Sequence, residues 1–331
     1  MAIDSPPEAS SPTLYNFFDI RLSIGADPLR FGEEFERVFG RGWPAAPASD
    51  PGVDVSHVSA TDSWATLRID GDALESPAAF LAGFSSPDIP LTAAGDGAVC
   101  VGDDPTPILR FDGTQCSVRM VDGWRRIVSH MVFLRLIRLR PDLLFFHAAA
   151  VGIDGRAFLL IGPKGRGKTT TSMALAARGH AFLGDETAVF EPSTSLVHPF
   201  RRPVGVKRGP CAAAVSSGLA TNSGNAAFPA EGILRLPIGK VLEVADTAAL
   251  PLGGVVFLQP FAPEPRLEKV TAGRDELAQM QPLANASGGV GSPQRVFAMI
   301  RLLGSTRCCK LWPADPDQTA IHIERMLNDE S

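Results

Sequence analysis

The first third of the chain alternates short apolar runs with turn-forming clusters. Apolar runs at residues 18–22, 53–58 and 65–69 are separated by groups of Gly, Asp and Pro, which is the pattern of strands joined by turns. Residues 28–39 interrupt this pattern and favour one helix. We therefore predict a small β-rich α+β domain over residues 13–123. Residues 1–12, rich in Ser and Pro, are predicted to form a flexible tail.

From residue 124 the apolar positions follow a helical spacing of three or four. They are Ile127, Met131, Leu134 and Ile137, with arginines on the other faces of the turn. This spacing predicts an amphipathic helix over 124–139 that opens a second domain, residues 124–331. Later apolar runs at 233–238, 241–244 and 255–258 predict strands, and 295–303 and 318–327 predict helices that cover a sheet. The second domain is thus predicted to be α/β.

After Pro141 two long apolar runs flank an Asp-Gly pair. The runs read LLFFHAAAVGI and RAFLLIG, and an Asp-Gly dipeptide between apolar runs is the strongest short-range signal for a β-hairpin. If Asp154 and Gly155 are the two loop residues, His147 lies opposite Gly162. A histidine in an apolar strand has two interpretations, a hydrogen-bonded core residue or a residue of a functional site, and this register favours the second.

Residues 162–169 carry a phosphate-binding sequence, GPKGRGKT. It matches G-x-x-x-x-G-K-[ST] in full, follows an apolar strand, and precedes a helix-prone run that ends at Gly179. In this motif backbone N–H groups cradle phosphates, the lysine reaches the β and γ phosphates, and the hydroxyl binds Mg²⁺. The alternative is a Gly-rich turn with an idle lysine. The predicted nucleotide-binding residues are Gly162, Pro163, Lys164, Gly165, Arg166, Gly167, Lys168, Thr169 and Thr170; Lys164 and Arg166 either contact phosphate or point to solvent.

Two acidic residues, Asp185 and Glu186, end the next apolar strand. In a βαβ unit this strand is parallel to the one before the loop, so both acids lie at the edge where the phosphates bind. One carboxylate there would hold Mg²⁺ together with Thr169, and one would orient or deprotonate an incoming hydroxyl. The alternative is an acidic turn that caps the following element.

Charge is divided unevenly along the chain. Residues 1–123 hold 19 acidic and 7 basic side chains (net −12), and residues 124–331 hold 17 and 24 (net +7), which together give the net charge of −5. The basic part suits an anionic ligand, but it has no dense basic stripe with interleaved aromatics, so nucleic acid is not an expected partner. With no apolar run of membrane length and no signal-like N-terminus, we expect a cytoplasmic protein without a membrane partner. The five cysteines, Cys100, Cys116, Cys211, Cys308 and Cys309, have no metal-ligand spacing.

The segment from His147 to about Lys207 resembles the HPr kinase/phosphorylase family and its HPr-kinase-related members. Strand histidine, hairpin, phosphate loop, the "RGH" helix end and the acidic pair follow in that family's order. The resemblance implies a P-loop catalytic domain with a fold like the nucleotide-binding domain of PEP carboxykinases. It also implies Mg·ATP binding at 162–170, a catalytic acid/base at Asp185 and an active-site histidine at His147. The acidic pair is Asp-Glu here, where the family has Asp-Asp.

A basic cluster follows the acidic strand at Arg201, Arg202, Lys207 and Arg208. It would either clamp a γ-phosphate or an acidic peptide, or form a solvated face.

We expect a Mg·ATP-dependent kinase that phosphorylates a Ser or Thr hydroxyl of a protein or ribosomally made peptide, with Lys168, Asp185 and His147 as catalytic residues. The N-terminal domain is the expected recognition module. Two alternatives remain: a kinase for a small hydroxylated metabolite, and a nucleotide-hydrolysing switch or scaffold. GTP in place of ATP, and assembly into a homo-oligomer, are left open.

Overall fold

A computed structural model of the chain describes residues 13–18, 20–25, 30–40, 52–61, 63–69, 91–95, 97–101, 105–112, 115–206, 234–236, 239, 248–280 and 293–328. Over these residues the protein is a mixed α/β chain of nineteen strands and six helices. It divides into two compact units, Met1–Leu139 and Arg140–Ser331. The predicted boundary at 123/124 precedes the helix that begins at Trp124, whereas the compact units divide after that helix.

The first unit contains an eight-stranded sheet. Its strand order is β1-β2-β3-β4-β8-β7-β6-β5, antiparallel except for the parallel pair β2 and β3. The strands are β1 Thr13–Phe17, β2 Ile20–Ile24, β3 Gly52–Thr61, β4 Trp64–Ile69, β5 Leu91–Ala94, β6 Ala98–Val101, β7 Pro107–Asp112 and β8 Gln115–Arg119. The prediction of a β-rich region is therefore confirmed for these residues.

Two helices, α1 Phe31–Phe39 and α2 Trp124–Arg138, contribute aromatic side chains to the core of this unit. The rings of Phe39 and Phe133 stack with centroids 4.5 Å apart. Both helices were predicted, but α2 is buried on more than one stripe, because Val128, Val132, Phe133 and Leu136 are buried along with Ile127, Met131 and Ile137. A helix that is buried on several sides carries apolar residues on several faces. The prediction from a single line of apolar residues therefore underestimated how much of α2 is buried. The side chain of Leu134 lies outside the described residues.

The second unit is built on a sheet with a parallel centre. Strand β17 is parallel to both β11 and β19. Strand β10 lies antiparallel between β11 and β12, so β12 runs parallel to β11, as predicted. The elements are β9 Leu144–Phe146, β10 Ala149–Ile153, β11 Arg156–Ile161, α3 Lys168–Ala177, β12 Ala181–Gly184, β13 Ala188–Glu191, β14 Leu196–His198, β15 Val204–Val206, β16 Leu234–Leu236, β17 Leu250–Leu258, β18 Arg266–Val270, α4 Arg274–Met280, α5 Pro293–Ser305, β19 Arg307–Trp312 and α6 Pro316–Asn328.

Helices pack on both faces of this sheet. Alternate residues of β11 face opposite sides, since side chains along a strand alternate. Leu159 packs in a cluster with Met280 of α4 and Met299 of α5. Leu160 packs in a second cluster with Leu175 of α3 and Ile323 of α6. The three layers explain why the central strands are continuous apolar runs.

The Asp154-Gly155 hairpin has the predicted register. Ala149 pairs with Leu160 and Ile153 with Arg156. Asp154 and Gly155 have φ values of 49° and 73°, and a two-residue turn of type I′ needs positive φ at both positions. The ladder ends at Ala149, because the single strand predicted over LLFFHAAAVGI is two strands. The Ala148 N–H donates to Phe146 O at 2.8 Å, and this tight turn at His147 separates β9, which pairs with β13, from β10.

Most of the other predicted elements are confirmed. The predicted helices at 295–303 and 318–327 are α5 and α6, and the strand at 255–258 is the end of β17. Sequence reasoning did not find β18, β19 or α4. Within the predicted strand 233–238 the structure describes β16, Leu234–Leu236. The tail 1–12, the strand 241–244, and Lys207, Arg208 and Cys211 lie outside the described residues. The cysteines that the structure describes, Cys100, Cys116, Cys308 and Cys309, are buried thiols.

Candidate functional site

The candidate site lies at one edge of the central sheet of the second unit. Because β11, β12, β17 and β19 run in the same direction, their carboxyl ends meet at that edge. The chain leaves β11 into the loop 162–167, β12 into Asp185 and Glu186, and β17 into the loop 259–265. In open α/β sheets ligands bind outside the carboxyl ends of the strands. The residues predicted at 162–170 and 185–186 are thus brought to one place.

The loop 162–167 has the backbone that its glycines allow. Gly165 and Gly167 have φ values of 86° and 92°, a region that L side chains rarely adopt. Gly162 adjoins the end of β17, where an added Cβ would lie 3.0 Å from Leu258 Cβ and 3.1 Å from Leu258 O. The loop ends at the N-terminus of α3, whose unpaired N–H groups favour an anion.

Lys168, the first residue of α3, folds its side chain back over this loop. Its Nζ donates to Gly162 O at 2.7 Å and to Pro163 O at 3.3 Å, and the residue is only 8% exposed. Burial lowers the pKa of Lys168, and the negative charges of Asp185 and Glu186 oppose that effect. The ammonium group is thus held at the loop by carbonyl oxygens. Lys164 is exposed and Arg166 is half-buried.

Thr169 links this loop to the acidic pair. Its Oγ1 donates a hydrogen bond to Asp185 Oδ2 at 2.8 Å. Asp185 is 2% exposed, and its second oxygen, Oδ1, is buried without a hydrogen-bond partner. Burial, followed by the charge of Glu186, raises the pKa of Asp185 to about 6. A buried polar atom normally has a partner, so the lone Oδ1 indicates a place where a ligand atom or ion would bind.

Glu186 occupies a different electrostatic environment from its neighbour. Its Oε2 lies 3.9 Å from Arg202 Nη1 and 3.7 Å from Arg235 Nη1. Burial alone would raise the pKa of Glu186, but the charges of Arg202 and Arg235 outweigh burial and lower it. The backbone of Glu186 is left-handed, with φ of 62°, a conformation that costs energy in a non-glycine residue and is common at functional sites.

Arg202 reaches this turn because the segment after β14 is anchored beside β12. Phe200 N–H donates to Leu183 O at 2.7 Å, and Arg201 Nε donates to Phe182 O at 2.9 Å. Gly184 permits this approach, since an added Cβ would lie 2.6 Å from Phe200 O. Of the predicted basic cluster, Arg201 therefore anchors the segment to β12, and Arg202 lies at the acidic pair.

His147 contacts the acidic turn rather than pairing with Gly162. Its Nδ1 lies 3.0 Å from Glu186 O, with the ring exposed to solvent. The protein around the ring lowers the pKa of His147 by partial desolvation, and the positive charge of Lys168 lowers it further. The interpretation of His147 as a buried core residue does not fit this exposure.

The donor set at Thr169 and Asp185 fits Mg²⁺ bound together with a nucleotide. A hydroxyl that donates one hydrogen bond keeps its lone pairs, and Asp185 Oδ1 has no other partner. Oxygen atoms from one or two side chains, with phosphate oxygens and water, are what Mg²⁺ prefers. No cluster of three or more His, Cys, Asp or Glu able to hold a metal by itself occurs among the described residues.

Sequence reasoning did not find two residues at this edge, Arg235 and Phe261. Arg235 lies on β16 and joins the site through the pairing of β16 with β15, which follows Arg202. No local signal marks it. Phe261 follows β17 in QPFAPEP, where a Pro-rich loop after a buried strand was a usable sign.

No helix in the described part of the chain is both long and apolar enough to cross a membrane.

Comparison with known proteins gives little. No family model matches the chain, and no curated protein matches it. Among solved structures it is similar to the Hpr(Ser) kinase/phosphatase from Coxiella burnetii, with 15% sequence identity and a TM-score of 0.28. The match covers 56% of this chain and 95% of that chain. Similarity at this level is weak and assigns neither a family nor an activity.

Proposed function

We propose that the chain is a Mg·ATP-dependent phosphotransferase that phosphorylates a Ser or Thr hydroxyl of a protein or ribosomally made peptide. The observation that carries the proposal is the 2.8 Å hydrogen bond between Thr169 Oγ1 and Asp185 Oδ2. It joins a complete phosphate-binding motif to a buried carboxylate that has one oxygen free. The order of motifs, which resembles HPr kinases, supports the same assignment.

Each residue of the site has a task in this reaction. The loop N–H groups, the N-terminus of α3 and Lys168 bind the phosphates and offset their charge. The acceptor oxygen forms a bond to the γ-phosphorus while the bond from that phosphorus to the β,γ-bridging oxygen breaks, and the diphosphate leaves. Asp185 takes the acceptor's proton, and a pKa of about 6 suits a base that works near neutral pH.

Mg²⁺ would be held by Thr169 Oγ1, whose hydrogen bond goes to Asp185 Oδ2, and Asp185 Oδ1 would then be the oxygen that takes the acceptor's proton. The ion would supply positive charge to the phosphate oxygens. Glu186 carries the counterions Arg202 and Arg235, so we assign it the positioning of these arginines at the acceptor side of the loop.

The test is Lys168→Ala in the full chain, with Arg156→Ala as control. Arg156 is an exposed cation at the start of β11, the strand whose other end leads into the phosphate-binding loop. Wild type and control should be stabilised against heat by Mg·ATP, and Lys168→Ala should lose most of this shift. Without nucleotide the variant should stay folded and lose about 1–2 kcal/mol at most, because the hydrogen bonds from Lys168 to two loop carbonyls are absent. Candidate acceptor peptides should gain roughly 80 Da in mass with wild type and control only.

Three outcomes decide between the functions. Equal Mg·ATP stabilisation and equal activity in wild type and Lys168→Ala would refute the role of the loop. Phosphate release that no peptide or metabolite accelerates would favour a hydrolysing switch. Phosphorylation of a small hydroxylated metabolite, with no transfer to peptides, would show that the acceptor is a metabolite and not a protein or peptide.

A further inference from the structure

The loop after β17 places an exposed aromatic ring beside the phosphate-binding motif. Strand β17 pairs with β11 on the side away from β10 and β12. The loop 259–265 therefore lies on the other side of β11 from the acidic pair. Phe261 in this loop is 55% exposed.

The ring of Phe261 lies beside Gly167, the residue that precedes α3. A Cβ added to Gly167 would lie 3.2 Å from Phe261 Cζ and 3.7 Å from its Cε1, with Thr171 Oγ1 at 3.8 Å from the same point. A single exposed apolar residue on a protein surface needs no explanation. A ring that occupies the space beside the positive-φ glycine of the phosphate motif is more specific.

Hydrogen bonds fix the backbone on both sides of Phe261 and leave its ring exposed. Gln259 N–H donates to Leu311 O at 2.7 Å, and Ala262 N–H donates to Pro313 O at 2.9 Å, so both flanks of Phe261 are tied to the end of β19 and the residue after it. The Gln259 side chain adds a bond to Phe257 O at 3.2 Å. Because the backbone on both sides is fixed, a planar ligand can stack on the ring with little ordering cost.

We propose that Phe261 is the stacking platform for the nucleobase of the bound nucleotide. This inference rests on the proposed function. Asp185 and Glu186, which we assign to the side where the hydroxyl acceptor binds, lie at the end of β12. The γ-phosphate of the nucleotide would therefore lie on the β12 side of the loop. The nucleoside end of the nucleotide then leaves the loop on the β17 side, beside Gly167, where Phe261 lies.

A phenyl face binds bases by stacking and carries no hydrogen-bonding group. Stacking of a base on an aromatic side chain contributes about tenfold in affinity and tolerates any base. The platform itself therefore does not distinguish adenine from guanine, and ATP and GTP should depend on it alike.

The experiment compares Phe261→Ala, Phe261→Tyr and wild type, with Phe297→Ala as control. Phe297 is an exposed phenylalanine on α5, 69% exposed. Calorimetric titration measures dissociation constants for Mg·ATP, Mg·GTP and Mg·tripolyphosphate, which has the phosphates but no nucleoside. Phe261→Ala should weaken both nucleotides about tenfold and leave tripolyphosphate unchanged, and Phe261→Tyr should bind like wild type.

Two results would overturn the platform. One is unchanged nucleotide binding by Phe261→Ala. The other is an equal loss for nucleotides and tripolyphosphate, which would mean that the ring only supports the loop. Failure of the proposed function is distinguishable. A wild type that binds nucleotide but phosphorylates no peptide or protein would refute that function and leave the platform standing, whereas a wild type that binds neither tripolyphosphate nor nucleotide would refute both.

Discussion

Ionisation of Asp185 is predicted to cost the second unit stability as pH rises. Burial, followed by the charge of Glu186, raises the pKa of this carboxyl from 3.8 to about 6. The folded protein then binds more protons than the unfolded chain between these two values, so the free energy of unfolding falls as pH rises through them. At about 1.4 kcal/mol for each pKa unit, the loss is about 3 kcal/mol and is complete above the folded pKa.

The perturbation is Asp185→Asn, which removes the titrating carboxyl and keeps a side chain of the same size and shape. Urea unfolding without nucleotide or Mg²⁺, from about pH 4 to about pH 8, gives the free energy of unfolding of both proteins. Titrating groups that do not interact with Asp185 cancel in the difference. Wild type should lose about 2 kcal/mol relative to the variant between about pH 4 and about pH 7, because part of the total loss falls below pH 4. The variant should also lose roughly 10²-fold or more in turnover. A difference that is flat with pH, or that rises, would refute the raised pKa, and full activity in the variant would remove Asp185 from the chemistry.

Two further substitutions test how the turn at the acidic pair is built. Gly184→Ala should destabilise the protein by about 1–3 kcal/mol in urea unfolding, because its Cβ would lie 2.6 Å from Phe200 O. The control is Gly304→Ala on α5, which should not destabilise the protein because the space around Gly304 is open. Equal effects of the two substitutions would refute the argument that a Cβ at Gly184 is too close to Phe200. His147→Asn should lower turnover with an unfolding loss of about 1 kcal/mol or less, since its ring is exposed and has one hydrogen bond to Glu186 O. A large drop in the unfolding midpoint with intact turnover would instead make His147 structural.

Features set by neighbouring residues could be predicted from the sequence. The Asp154-Gly155 turn needs positive φ at two adjacent residues, and few dipeptides other than Asp-Gly and Asn-Gly supply it, so one dipeptide determines the register of β10 on β11. The end of α3 is similar. Gly179 adopts φ of 94°, its N–H donates to Ala176 O, and the N–H of His180 donates to Leu175 O, the arrangement that a glycine after a helix favours.

Features set by distant pairing could not be predicted. His147 leaves the hairpin because β9 pairs with β13, more than forty residues later in the chain. Nothing within LLFFHAAAVGI marks that change of partner, since both segments are buried and apolar. Arg235 reaches Glu186 only because β16 pairs with β15. Local patterns predict the elements, but which strand lies beside which depends on the packing of the whole unit.

The acidic pair shows how such distant contacts give neighbouring residues different chemistry. Asp185 and Glu186 are adjacent, and burial raises the pKa of both when taken alone. The arginines brought in by β15 and β16 lower the pKa of Glu186 and keep it ionised, and that fixed negative charge in turn raises the pKa of Asp185. In the proposed reaction, Glu186 is a permanent charge that raises the pKa of the base beside it. An Asp-Glu pair thus consists of one carboxyl that titrates near neutral pH and one that stays ionised, and the proposed function assigns them separate tasks.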